Sequence, residues 1–157
     1  MCTKKMNKTL LAMIATVFLF TGCASVPLAN KELSATSKQF KQPEQGKSGL
    51  YIYRTGGLGT TIKKDIKING HCIGETAPNI FFHEEVASGQ EYTISTESEF
   101  SPNDLKLQAK SGENYFIKQY IKPGLLVGGA GLKLVDNAQG QKAIQKLKLA
   151  EKGKCGK

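Results

Sequence analysis

The stretch Asp65-Ile66-Lys67-Ile68-Asn69-Gly70-His71-Cys72-Ile73 constrains the fold more than any other part of this chain. Ile66 and Ile68 alternate with polar neighbours, the period of a half-buried strand. Asn69-Gly70 is the pair that supplies positive φ in a tight turn, so the segment reads as a β-hairpin. Segments of similar length flank it. Gly49-Leu50-Tyr51-Ile52-Tyr53-Arg54 is rich in aromatic and β-branched residues that suit a pleated surface, with Leu50 and Ile52 facing a core, and Gly56-Gly57-Leu58-Gly59 interrupts it. Residues 79–86 place Ile80 and Phe82 on one side and Phe81, His83 and Glu85 on the other.

Ala87-Ser88-Gly89-Gln90 turns the chain into residues 91–96, where Tyr92 and Ile94 alternate with polar neighbours. After a polar loop around Pro102, Leu105 and Leu107 mark another strand. In residues 114–121, Tyr115, Ile117 and Ile121 share one face and Phe116 and Tyr120 the other, the pattern of a central strand covered on both sides. Residues 125–135 are apolar, but they are too few for a membrane span and are broken by Gly128, Gly129 and Gly131. They read as a loop entering a strand at 132–135. Asp136 or Asn137 then caps a helix through about Leu147, with Ala143, Ile144 and Leu147 on one narrow apolar face and Gly140 weakening it. Short strands at this spacing with one late helix predict a mainly β chain, a small antiparallel β-sandwich with one short C-terminal helix, spanning residues 48–150.

Residues 1–22 have a different character. Lys4, Lys5 and Lys8 precede an apolar run from position 10 to 20, and small residues close it, the layout of a secretory signal. Phe20-Thr21-Gly22-Cys23 resembles the lipobox of bacterial lipoproteins, with Phe20 standing where Leu is usual. The resemblance implies cleavage between Gly22 and Cys23, a diacylglycerol thioether on Cys23 and acylation of its new amine, palmitate among the chains. No other cofactor is expected. Ala24 in place of Asp implies export to the outer membrane, with the domain in the periplasm.

Cleavage removes three lysines and no acid, so the net charge of +9 falls to +6. Such a basic body is drawn to anionic membranes. Nucleic acid, the other common partner of basic chains, is not expected for an exported protein. Residues 23–47 lack the apolar density for a core and read as a lipidated N-terminus and linker, with a helical turn or two around 31–38. Extended, this linker would reach roughly 70 Å and hold the domain clear of the bilayer. Residues 151–157 read as a flexible basic tail. Of four cysteines, Cys2 leaves with the signal and Cys23 takes lipid. Cys72 and Cys155 then either form a disulfide in an oxidising compartment or remain as a buried thiol and a free one on the tail.

Lys38-Gln39-Phe40, Gly46-Lys47-Ser48-Gly49-Leu50-Tyr51-Ile52-Tyr53-Arg54, Ile66-Lys67-Ile68-Asn69-Gly70, Ala87-Ser88-Gly89-Gln90 and Ala109-Lys110-Ser111-Gly112-Glu113-Asn114-Tyr115-Phe116, together with the lipobox, resemble the bacterial lipoproteins that carry domain of unknown function 2846. That resemblance covers most of the mature chain and implies a small β-rich, membrane-anchored module. It brings no catalytic residues.

Few residues point to chemistry. His71, Cys72, His83, Glu84, Glu85 and Cys155 match no zinc-ligand spacing, and a Cys72 nucleophile beside His71 or His83 has no evident orienting group, so neither a metal site nor catalysis is expected. Gly56-Gly57-Leu58-Gly59 and the glycines at 128–131 fit no phosphate-binding fingerprint and read as flexible connections. Lys63, Lys64, Lys67, Lys106, Lys110, Lys118 and Lys122 form either a basic stripe or an ordinary solvated surface. With Leu50 and Ile52 inward, Tyr51 and Tyr53, together with Arg54, are candidates for stacking on a glycan or peptide, unless a second layer covers them. The function expected is a non-enzymatic envelope module that binds an envelope protein or glycan.

Overall fold

The computed structural model describes residues 23–98, 103–126 and 128–156. The signal segment and part of the loop around Pro102 lie outside them. Nine strands and two helices follow in the order α1 (Lys31–Ser37), β1 (Lys47–Arg54), β2 (Lys64–Ile68), β3 (His71–Thr76), β4 (Ile80–Ala87), β5 (Glu91–Thr96), β6 (Asn103–Gln108), β7 (Asn114–Lys122), β8 (Gly129–Val135), α2 (Asn137–Ile144) and β9 (Lys148–Leu149). They form a five-stranded sheet in the order β8-β7-β1-β4-β9 and a four-stranded sheet in the order β3-β2-β5-β6. The chain is mainly β, as its alternation predicts. Most pairings are antiparallel, but β1 runs parallel to β7 and β4 parallel to β9, so the larger sheet is mixed.

Asn69 and Gly70 both take positive φ, at 48° and 78°, and close the β2–β3 hairpin. Leu50, Ile52, Ile80, Phe82 and Ile117 of the larger sheet meet Ile66, Tyr92, Ile94 and Leu107 of the smaller one in the inter-sheet core. A buried polar bridge crosses this core: Gln119 Nε2 donates to Thr96 Oγ1 at 2.7 Å, and Gln119 Oε1 accepts from Thr76. Its groups are satisfied by one another, so they link β7 to β3 and β5 without an orphaned donor.

The other face of the larger sheet carries a second core. Tyr51, Tyr53, Phe81 and Phe116 pack there with Ile144 and Leu147 from α2 and its C-terminal flank, and Phe40 joins them from the N-terminal segment. Gly140 has a structural role at this contact. A Cβ on it would lie 2.3 Å from Phe116 Cβ, so only glycine lets the helix approach the sheet this closely.

Two segments read as free are held. Residues 24–47 do not trail from the body: Leu28 bridges Ala150, Ala29 N donates to Leu149 O at 3.0 Å, and Tyr51 Oη donates to Ser37 O at 3.1 Å. Hydrogen bonds replace the apolar density the segment lacks, which is why composition alone did not mark it as part of the body. The tail is likewise tied down, because Gly153 N donates to Ile73 O at 2.9 Å, Gly156 N to Asp65 Oδ1 at 2.9 Å, and Lys152 pairs with Glu84 at 2.7 Å.

Candidate functional site

The parallel pairing of β1 with β7 sends both strands out of the same end of the sandwich. Residues 55–62, after β1, and 123–126, after β7, therefore emerge side by side. They also touch. A Cβ on Gly59 would meet Ile121 Cγ1 at 2.9 Å, and one on Gly128 would meet Ile62 Cδ1 at 2.9 Å.

Arg54, a sequence candidate for ligand binding, sits beneath the first loop and is 2 % exposed. Its Nη1 donates to Ile62 O at 2.6 Å and its Nη2 to Gly59 O, so the guanidinium fixes the loop from inside. Burial lowers its pKa, an effect its great basicity absorbs without loss of charge. From that loop Thr60 O accepts from Ala24 N at 2.9 Å. Cys23, exposed and with a free thiol, is thereby placed at this end of the molecule.

Three leucines stand out of the same two loops. Leu58 is 68 % exposed, Leu125 85 % and Leu126 92 %. Strand periodicity did not single them out, since they lie in connections. The legible signal was that residues 55–62 and 123–128 contain no charged side chain. Beside them lies an open cleft of about 700 Å³ lined by Tyr53, Thr55, Asn79, Lys118, Lys142 and Lys146 among others, with no acidic residue in its wall. Of the lysines proposed as a stripe, Lys118 reaches this cleft. Lys63, Lys64 and Lys106 are paired with Glu75, Glu97 and Glu91.

Tyr51 and Tyr53 do not form an exposed platform. Each is 1 % exposed. Tyr51 stacks on His83 at 4.2 Å and on Phe116 at 5.0 Å, with Phe40 edge-on at 5.4 Å. Burial, with Glu85 adding to it, pushes the Tyr51 hydroxyl up to about 12. Tyr53 is also raised, by burial and then by Asp136. With each ring almost wholly covered, neither offers a face on which a glycan or peptide could stack, which corrects the aromatic-face reading: the second layer built by α2 and the N-terminal segment occupies that face.

Cys72 and Cys155 are joined in a disulfide. It fastens the tail to β3 after β9 has added to the opposite sheet, so the last residues clamp one edge of the sandwich across both sheets. With its sulfur in that bond Cys72 is no thiolate nucleophile. His71 lies exposed on β3, and His83, whose pKa burial lowers, lies on β4 in the other sheet. Among the described residues no three His, Cys, Asp or Glu side chains gather as a metal set, and no helix is long and apolar enough to cross a membrane.

Residues 44–130 match the family described as protein of unknown function DUF2846. An uncharacterized protein of Haemophilus influenzae is 50 % identical over 139 residues, covering 88 % of this chain and 82 % of that one. No solved structure matches.

Proposed function

The chain belongs to the DUF2846 family, and from that starting point we propose that it is a lipid-anchored, non-catalytic protein of the bacterial cell envelope, held by Cys23 in the outer membrane with its body in the periplasm. The observation that carries this reading is the basic, apolar, small-residue sequence ending at Cys23, whose thiol is exposed at one end of the folded body. The Cys72–Cys155 disulfide supports an oxidising compartment. Ala24 supports sorting to the outer membrane, and the lysine-lined cleft that includes Thr55 supports contact with anionic groups.

Chemically, the anchor forms when a transferase joins Cys23 Sγ to the glyceryl carbon of a phospholipid: the carbon–sulfur bond forms, the bond from that carbon to the headgroup phosphate oxygen breaks, and the thiol proton leaves with the released headgroup phosphate. Stable attachment takes more than one acyl chain, and thioether plus amine acylation provides it. The test is growth with a clickable fatty acid. The wild-type protein takes up label in the membrane fraction and Cys23→Ala takes up none. Equal labelling of the two would overturn the proposal.

A further inference from the structure

We propose that the end of the sandwich bearing Leu58, Leu125 and Leu126 is a second membrane contact, which inserts into the same bilayer as the acyl chains and holds the body against it. This rests on the lipid anchor proposed above and goes beyond it, because an anchor on a long free linker would leave the body's orientation undetermined.

Three independent observations meet at this end. The first is the absence of slack: Ala24 N is bonded to Thr60 O in the very loop that carries Leu58, so the atom next to the anchored residue already belongs to the body. Acyl chains leaving Cys23 enter the bilayer beside that loop. The second is the apolar character of the two touching loops, uncharged and presenting three leucines to solvent. Exposed apolar side chains clustered on one small surface mark an interaction site. The third is charge. Lys118, Lys142 and Lys146 line an acid-free cleft whose wall includes Thr55 at the base of the first loop, and such cations are drawn to lipid phosphates. Apolar tips backed by cations are the arrangement of an interfacial membrane contact, in which apolar groups sink about 5–10 Å and cations stay with the headgroups.

The consequence is a fixed orientation. β7 has nine residues, so the sandwich is about 30 Å long in the strand direction. The turns around Lys110 and Gly112, which hydrogen-bond the start of β1, are then the part held farthest from the membrane.

The test uses the full chain, acylated in cells and reconstituted in phosphatidylcholine–phosphatidylglycerol vesicles. A genetically encoded fluorescent amino acid replaces Leu58, Leu126 or, as the distal reference, Lys110. Brominated lipid is expected to quench the first two positions at least about threefold more than the third, as burial of the loop tips in the acyl region requires. Leu125→Asp combined with Leu126→Asp is expected to abolish the excess quenching at position 58. Quenching at positions 58 and 126 no greater than at 110, in protein that carries fatty-acid label, would overturn this inference and leave the anchor standing. Protection of those positions from aqueous iodide without quenching by brominated lipid would also overturn it, by assigning the loops to a protein contact. Loss of the fatty-acid label itself would mark failure of the anchor.

Discussion

The two faces of β1 are covered in different ways. Leu50 and Ile52 point into an aliphatic core closed by a second sheet, four strands whose own alternation guarantees a matching apolar face. Tyr51 and Tyr53 point into an aromatic core closed by a short helix, one turn after it, and an N-terminal segment poor in apolar residues. The first cover is held by buried surface. The second is held as much by polar stitching: Asn114 Nδ2 donates to Phe40 O at 3.2 Å, Gln145 Nε2 to Lys38 O at 3.0 Å, and Tyr51 Oη to Ser37 O at 3.1 Å. A segment of linker-like composition thus becomes structural by capping large rings. This brings the residue after Cys23 onto the body surface.

If the aromatic face is a true second core, truncating it should cost as much as truncating the first. Phe116→Ala is expected to lose about 3–5 kcal/mol in chemical denaturation, comparable with Ile94→Ala on the aliphatic side, with a single transition for both. A second transition confined to Phe116→Ala would show that the helix cover unfolds by itself. Next in size is the clamp that spans both sheets. Cys155→Ser is expected to cost about 2–5 kcal/mol, and a reducing agent should lower the wild type to the same level without affecting the variant.

Gly140→Ala sharpens the comparison from the helix side. Alanine favours a helix by about 1 kcal/mol, yet here its Cβ would collide with Phe116, and a net destabilisation of about 1–3 kcal/mol is expected from thermal melts. The smallest effect is one of pH. Burial lowers the pKa of His83 below its ordinary 6.5, so folding favours the neutral ring stacked on Tyr51. The stability this provides is complete above pH 6.5 and is lost as pH falls through the lowered folded value. His83→Phe should flatten that part of the melting-temperature profile and leave the neutral-pH side unchanged in slope.

How much of this was legible follows from the same contrast. Alternation assigned Leu50, Ile52, Ile80, Phe82 and Ile117 to one face and Phe81 and Phe116 to the other, and the Asn69-Gly70 turn was readable because few residue pairs tolerate its backbone. What covered the aromatic face was not readable. The N-terminal segment contributes backbone carbonyls and one ring, Phe40, neither of which has a periodic signature. The parallel alignment of β1 with β7 also escaped, since period-two patterns are blind to strand direction. That alignment places the two leucine-bearing loops together, so the apolar end of the molecule was hidden along with it. Arg54 shows the limit most plainly. Its position in an aromatic strand suggested a ligand contact, and its guanidinium proved to be an internal brace for the loop that receives Ala24.

The most direct test of the account is the intact mass of the native protein extracted from membranes. A polypeptide beginning at Cys23 and heavier than its sequence by a diacylglyceryl group and one amide-linked acyl chain is the predicted result. A chain beginning at any other residue, or one of bare polypeptide mass, would contradict it.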